Sequence, residues 1–140
     1  MLVLDANILI RAVLGRRVLV LLVRYGASVQ FFAPDSAFEE AREHLPALVS
    51  KRNLPAAEGL EVLDSLSRIV QPIGSGTYST FEQTARQRLA GRDEEDWPVL
   101  AAALALNCPI WTEDSDFFGA GVATWTTDRV ELFLKNAGLS

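Results

Sequence analysis

Short apolar runs alternate with helical patterns along this chain, and the alternation restricts the folds that it can adopt. The first run is Leu2–Leu4, and a late one is Pro109–Thr112. A strand that is apolar on both sides must be covered on both, and a strand followed by a helix usually leads to a parallel neighbour. The chain is therefore predicted to be an α/β protein: a three-layer α/β/α sandwich with a central parallel sheet.

The individual elements follow from hydrophobic spacing and from glycine and proline positions. The predicted strands are Leu2–Leu4, Ser28–Ala33, Arg68–Ile73, Pro109–Thr112 and Val122–Trp125. The predicted helices cover residues 6–14, 18–25, 35–51, a stretch opened by Pro55, 81–90, 93–107 and 127–136. Gly26 and Gly138 are expected just after helix ends, where glycine adopts a left-handed conformation. Residues 74–76 are predicted to be a loop.

Length and composition bound the class of protein. The 140 residues are predicted to form one domain, residues 1–140. No apolar run approaches the ~20 residues of a membrane span, and no signal peptide is expected, so a cytoplasmic location is the default. Cys108 is the single cysteine, which excludes an intrachain disulfide and a multi-cysteine zinc site. The net charge of −5 argues against a nucleic-acid binder that works by bulk electrostatics.

Acidic residues follow the predicted strands and begin the predicted helices. Asp5 follows the first strand, whereas Asp114 and Asp116 follow the strand that ends at Thr112. Parallel α/β sheets bind ligands at the carboxyl ends of their strands, so these groups are expected to converge. Carboxylate oxygens are the ligands that Mg²⁺ and Mn²⁺ prefer, and such ions can activate water for phosphodiester hydrolysis. A divalent-metal site is therefore predicted.

Each acidic group also has a purely structural interpretation. Asp5 is an ordinary N-cap residue, and Asp93 could cap a helix with Asp96 as the third residue of a capping box. Only one of Glu39 and Glu40 can point into a site, because neighbours on a helix differ by about 100°. The remaining acidic residues of these segments, together with the single histidine, are interpreted as surface or packing groups: Glu94, Glu95, Glu113 and His44.

Four segments together resemble the motifs of the PIN domain family. Leu4–Ile10 resembles the opening motif, and Ala33–His44 resembles the second, a helix that begins at a proline and carries an acidic residue. Asp93–Leu106 and Pro109–Phe117 look like the third and fourth motifs. Their order covers essentially the whole chain. The resemblance implies a PIN-like fold and a ribonuclease dependent on Mg²⁺ or Mn²⁺, most often a toxin of the VapC type.

Site residues are carried over from these motifs position by position. Asp5, Glu40, Asp96 and Asp114 would be the catalytic metal ligands, Asp116 would assist, and Glu39 is the alternative to Glu40. Asn7 and Thr112 would support them by hydrogen bonds. The resemblance also implies an RNA substrate, an antitoxin protein as partner, a homodimer and no membrane association.

Other interpretations of the same residues are weaker. A phosphatase that forms a phospho-aspartate generally has a second aspartate where this chain has Asn7, and the positions of a receiver domain are not filled. The more serious alternative is a non-catalytic PIN-fold binding or regulatory module. Six arginines are candidates for substrate contacts or for ordinary surface charge: Arg11, Arg16, Arg17, Arg86, Arg88 and Arg92.

Overall fold

A parallel sheet forms the centre of the molecule. The computed structural model describes residues 1–137, and within them five strands form one sheet in the order β3-β2-β1-β4-β5. All four strand pairs are parallel. The strands are β1 Leu2–Leu4, β2 Phe31–Pro34, β3 Val70–Ile73, β4 Ile110–Trp111 and β5 Thr124–Trp125.

Helices connect the strands and cover both faces of the sheet. The helices are α1 Ala6–Leu14, α2 Arg17–Tyr25, α3 Asp35–Ser50, α4 Ala56–Leu66, α5 Ser75–Tyr78, α6 Glu82–Arg88, α7 Trp97–Leu106 and α8 Val130–Ala137. Three short 3₁₀ segments complete the described chain: Ser79–Phe81, Glu94–Asp96 and Ser115–Phe117. This arrangement is a three-layer α/β/α sandwich, as predicted.

Two separate hydrophobic cores explain why the strands are apolar on both sides. Side chains of a strand point alternately to opposite faces. Leu2 and Leu4 of β1 therefore belong to one core, packed with helices α1 to α4 and α8. Val3 belongs to the other core, packed with α5, α6 and α7. All three of these β1 side chains are fully buried.

The central strand β1 marks the point at which the strand order reverses. The chain leaves β1 toward β2 and β3 and then returns to pair β4 against the other side of β1. Leu4 pairs with Trp111, so the residues that follow them, Asp5 and Thr112, leave the sheet side by side. Ligands of parallel α/β proteins bind in the crevice at such a point. The topology therefore gathers the two predicted acidic segments at one place.

Three local expectations differ from the structure. The segment 74–76 is not a loop throughout, because α5 begins at Ser75. The helix expected from Asp93 starts as the 3₁₀ turn Glu94–Asp96 and becomes α-helical only at Trp97. Gly26 has right-handed φ and ψ of −61° and −22°, so it is not a left-handed cap. The predicted cap at Gly138 lies outside the described residues.

Within residues 1–137, no helix combines the length and the apolar character that crossing a membrane requires.

The packing of α4 on α3 generates a stability prediction. A Cβ at Gly59 of α4 would lie 2.9 Å from Cγ1 of the buried Val49, whereas a Cβ at Gly76 of α5 would meet nothing within 4 Å. Both glycines are helical, so alanine brings the same gain in helix propensity at each. We expect Gly59→Ala to lower the free energy of unfolding by about 1–2 kcal/mol through overpacking. Gly76→Ala is expected to leave it unchanged or raise it slightly in the same denaturant titration. Equal stability of the two variants would contradict the packing described for α3 and α4.

Candidate metal site

A cavity of about 280 Å³ opens at the carboxyl edge of the sheet. We call it the acidic cavity, because its lining includes Asp5, Glu40, Asp96 and Asp114. Each of these residues comes from a different part of the fold: the end of β1, the helix α3, the start of α7 and the segment after β4. Residues far apart in the sequence therefore meet at one place, where the strand order reverses.

The Asp5 carboxylate is held by two hydrogen bonds. Oδ1 accepts from the backbone N–H of Ile8 at 3.0 Å, which makes Asp5 the N-cap of α1. Oδ2 accepts from the hydroxyl of Thr112. Asp5 is 7% exposed, and burial raises its pKa to about 6 despite the two hydrogen bonds, with Asp114 and Glu40 contributing further. Asp5 is therefore the N-cap of α1 and also lines the acidic cavity, so the two interpretations of this residue do not exclude each other.

Thr112 connects two of the acidic residues. Its hydroxyl donates to Asp5, and the same oxygen accepts from the backbone N–H of Asp114 at 2.9 Å. Oδ1 of Asp114 in turn accepts from the backbone N–H of Asp116 at 2.9 Å. Thr112 is fully buried, so its hydrogen bond to Asp5 is shielded from water, whereas the bonds at Asp114 are partly buried. The Asp114 loop is thereby fixed relative to the end of β1.

Asp96 is the most perturbed carboxyl group of the cavity. It precedes α7 but makes no capping hydrogen bond with its side chain. Its pKa is raised to about 7, mainly by burial and further by the charges of Asp93, Asp114 and Glu40 and by a side-chain hydrogen bond to Asp114. A carboxyl group with such a pKa is protonated in part at neutral pH, because burial and the neighbouring negative charges both disfavour its ionised form.

Three carboxylates of this region have the spacing that a metal ion requires. Asp96, Asp114 and Asp116 each offer one oxygen, and the three oxygens lie within 4.8 Å of one another. All are half-buried. A set made only of carboxylate oxygens suits hard divalent cations such as Mg²⁺ and Mn²⁺. The raised pKa values of Asp5 and Asp96 agree with this, since a cation would stabilise the ionised forms.

The structure separates the two acidic residues of α3. Glu40 lines the acidic cavity, whereas Glu39 lines a different one with Arg42 and Asp64. This difference is the one expected for neighbours about 100° apart around a helix. Binding of a metal by Glu40 stays a prediction, as it does for the other acidic residues.

The interpretations of two neighbouring acids have different outcomes. Asp93 is confirmed as an N-cap, because its side chain accepts from the N–H of Glu95 at 3.0 Å at the start of the 3₁₀ turn. The capping box is wrong, because the N–H of Asp93 donates to Oδ2 of Asp116 at 3.4 Å and not to Asp96. Glu113 is not surface charge, because it is half-buried and its Oε1 accepts from the backbone N–H of Thr127 at 2.7 Å. Glu113 therefore joins the β4 loop to the segment before α8.

His44 also lies nearer the site than expected. It is exposed and lines the acidic cavity, as Asn7 does. His44 follows Glu40 by four residues on α3, and residues with this spacing lie on the same side of a helix. That spacing is a signal in the sequence which could have identified it.

Arg92 stabilises the loop after β4, which carries Asp114 and Asp116. One Nη of its guanidinium donates to the backbone oxygens of Asp116 and Phe118, at 2.6 Å each. Arg88 similarly donates to the carbonyl of Ala120 at 3.3 Å. These two arginines therefore hold the loop that carries Asp114 and Asp116.

Comparison with known families identifies the class of protein that has this fold and site. The sequence model of the PIN domain family matches residues 3–135, and the chain belongs to that family. The resemblance of the four motifs is thus confirmed at the level of the family.

A solved structure supports the same fold. The chain is similar to a chain in the structure of VapBC-1 from nontypeable Haemophilus influenzae, with a TM-score of 0.59 and 14% sequence identity. The similarity covers 91% of this chain and 98% of the other. No curated protein matches the sequence.

The raised pKa of Asp96 predicts how stability depends on pH when no metal is present. Folding raises this pKa from 3.8 to about 7, so between these values the native state binds more protons than the unfolded state. Stability from this group is therefore present at low pH and is lost as the pH rises toward 7. We expect Asp96→Asn in EDTA to raise the free energy of unfolding by about 1–2 kcal/mol near pH 8, a value reduced for the partial exposure of Asp96, and by only about a third as much near pH 5.

The control for this measurement is Glu94→Gln, which removes an exposed carboxylate two residues away. Thermal unfolding at the two pH values compares the stability of the wild type with that of each variant. A wild type that gains stability from pH 5 to pH 8, or an Asp96→Asn variant that never exceeds it, would contradict the electrostatic description of the cavity.

Proposed function

We propose that this PIN domain protein is a metal-dependent endoribonuclease that hydrolyses phosphodiester bonds of RNA. The observation that carries the proposal is the meeting of Asp5, Glu40, Asp96 and Asp114 in one cavity. No lysine or arginine lies among the residues that line it. Buried carboxylates are usually paired, whereas the buried Asp5 and the half-buried Asp96 and Asp114 form no ion pair within residues 1–137 and have the exposed Glu40 beside them. Such a group suits a bound cation.

The acidic residues would hold one or more divalent ions. When bound, Mg²⁺ or Mn²⁺ supplies Lewis acidity toward a phosphoryl oxygen and lowers the pKa of water. Asp96, Asp114 and Asp116 have the mutual spacing that supports a shared ion, and Asp5 and Glu40 line the adjoining cavity. The carboxylates would act as ligands rather than as nucleophiles.

The surrounding residues orient these ligands. The N–H of Ile8 and the hydroxyl of Thr112 each occupy one oxygen of Asp5, which restricts the carboxylate to one rotamer. Arg92 holds two backbone carbonyls of the loop after Asp114, one inside its 3₁₀ turn and one directly after it. Partners that orient metal ligands in this way commonly affect metal affinity by about 10–100-fold. His44 lines the open side of the cavity and can donate or accept a hydrogen bond there.

The biological role that we propose is that of the toxin in a type II toxin–antitoxin pair. The motif resemblance and the similarity to a chain of VapBC-1 support this role. It implies an antitoxin protein as partner, and a homodimer and a cytoplasmic location are proposed with it.

Cleavage assays with matched variants test the nuclease proposal. We expect purified protein with Mg²⁺ or Mn²⁺ to cut RNA, and EDTA to stop the reaction. Asp5→Asn, Asp96→Asn and Glu40→Gln are each expected to lower the cleavage rate by about 100-fold or more, since removal of a ligand costs at least as much as removal of its support.

Glu39→Gln is the matched control, because it removes the same charge from the neighbouring position of the same helix. It is expected to retain the wild-type rate. If the wild type leaves a broad panel of RNAs uncut with either ion, the binding-module interpretation replaces the nuclease. Equal losses in Glu39→Gln and Glu40→Gln would remove Glu40 from the proposed site.

A further inference from the structure

A groove lined by arginines adjoins the acidic cavity. It has a volume of about 470 Å³, and its lining includes Arg11, Arg16, Arg17 and Arg52. We call it the arginine groove. Asn7 and Ile10 line both the groove and the acidic cavity, so the two lie next to each other. The four arginines come from the end of α1, the turn before α2, the start of α2 and the segment after α3.

These guanidinium groups are not neutralised by the protein. Among residues 1–137, the ion pairs of arginine are those of Arg24, Arg42 and Arg86, so none of the four takes part in one. The charge of Arg17 contributes to the lowered pKa of Asp128, but the main cause is the Thr126 hydroxyl, and the two charged groups do not form an ion pair. The chain has 18 acidic residues against 13 basic ones, yet the lining of the groove contains four arginines and no acidic residue.

The local backbone makes this cluster less favourable still. Arg16 and Arg17 stand at the N-terminus of α2, where no acidic residue occupies the first turn and no side chain caps the helix. The positive end of the helix dipole lies there, so two cations at this position repel it. An anion in the groove would offset both the helix dipole and the guanidinium charges.

Two of the arginines are already held in place. An Nη of Arg52 donates to the carbonyl of Leu14 at 2.9 Å, and an Nη of Arg17 donates to the carbonyl of Thr127 at 3.4 Å. In the part of the chain that is described, the side chains of Arg11 and Arg16 donate no hydrogen bond to the protein and remain exposed. Guanidinium groups have planar N–H donors that match the oxygens of a phosphate.

The other arginines near the acidic cavity have structural partners. Arg86 pairs with Glu82 at 2.8 Å and stacks over Trp97, while Arg88 and Arg92 donate to backbone carbonyls. The structure thus divides the candidate arginines into a group that supports the fold and a group that faces solvent around the groove.

We propose that the arginine groove binds the phosphodiester backbone of the RNA strand on one side of the bond that is cut. This inference rests on the proposed function and adds where the substrate lies. Asn7 and Arg11 are one helical turn apart, about 6 Å along α1, so a strand could pass from the acidic cavity into the groove without a gap. Contacts of arginine with phosphates carry no sequence information, so the groove would position RNA rather than select it.

RNA binding without cleavage tests the proposal. The background is Asp96→Asn, and the probe is a fluorescently labelled short single-stranded RNA of mixed sequence, titrated at several salt concentrations. The groove variant combines four substitutions: Arg11→Gln, Arg16→Gln, Arg17→Gln and Arg52→Gln. We expect it to bind the RNA at least about tenfold more weakly. The slope of log K against log salt concentration should become less steep by about 3, at roughly 0.7 for each lost phosphate contact.

Arg68→Gln is the matched control, since Arg68 is exposed and lies at the opposite, amino-terminal edge of the sheet. It is expected to leave both affinity and salt slope close to those of the background. If the fourfold variant unfolds, the pair Arg11→Gln and Arg16→Gln keeps the test available, because neither side chain supports the structure. Wild-type affinity and salt slope in a folded groove variant would overturn the proposal.

Steady-state cleavage separates failure of the groove from failure of the nuclease proposal. With the active site intact, the groove variants are expected to raise KM for RNA while leaving kcat near that of the wild type. Normal cleavage with unchanged KM would overturn the groove and leave the nuclease standing. Loss of RNA binding in the groove variants of a protein that cuts no RNA would support the groove as a binding surface by itself.

Discussion

Electrostatic repulsion at the carboxyl edge of the sheet is the constraint on which the account of this protein depends. The topology places β1 between β2 and β4, and the chain therefore delivers Asp5 and the Asp114 loop to the same crevice. Asp96 and Glu40 enter it from helices on opposite faces of the sheet. Burying these groups beside one another costs free energy, which is visible in the pKa values of Asp5 and Asp96: burial raises them most, and the neighbouring negative charges add to the increase. A cluster of buried carboxylates destabilises the folded protein unless a cation offsets the repulsion.

The polar surroundings of the cavity stabilise this unfavourable arrangement. Thr112 joins the end of β1 to the loop after β4 through one buried hydroxyl. Two further hydrogen bonds hold the same loop. Arg92 donates to the backbone oxygen of Asp116, and Glu113 accepts from the backbone N–H of Thr127. The hydrogen bonds do not neutralise the carboxylates. They fix where the charges lie, which is the property that a metal site requires.

Much of the fold and of the cavity could be predicted from local sequence signals. Apolar strands alternating with helices indicate a parallel sheet, and acids directly after Leu4 and Thr112 must then meet at one edge. The order of the strands was not predicted, because strand pairing depends on contacts between distant segments. The short helix α5 was missed since Gly76 lies within it, and glycine is a weak signal for a helix. Glu113 was missed because its partner, the Thr127 N–H, is a tertiary contact.

The arginines illustrate the same limit. Their sequence positions make Arg11, Arg16, Arg86 and Arg92 equivalent candidates, and composition cannot separate them. The tertiary contacts can, because Arg86 and Arg92 have partners while Arg11 and Arg16 face solvent beside the acidic cavity. Opposite charges are therefore segregated into adjoining regions: carboxylates at the sheet edge and guanidinium groups between α1 and α2.

The central claim is that the acidic cavity binds a divalent cation, and a crystal soaked in Mn²⁺ above neutral pH tests it most directly. Anomalous scattering should then place at least one Mn²⁺ within ligand distance of Asp96 and Asp114 oxygens, with Asp5 and Glu40 facing the same ion or its waters. The number of ions and the contribution of Asp116 would follow from the same map. An acidic cavity without an anomalous peak, in crystals whose four carboxylates are intact and ionised, would contradict the account.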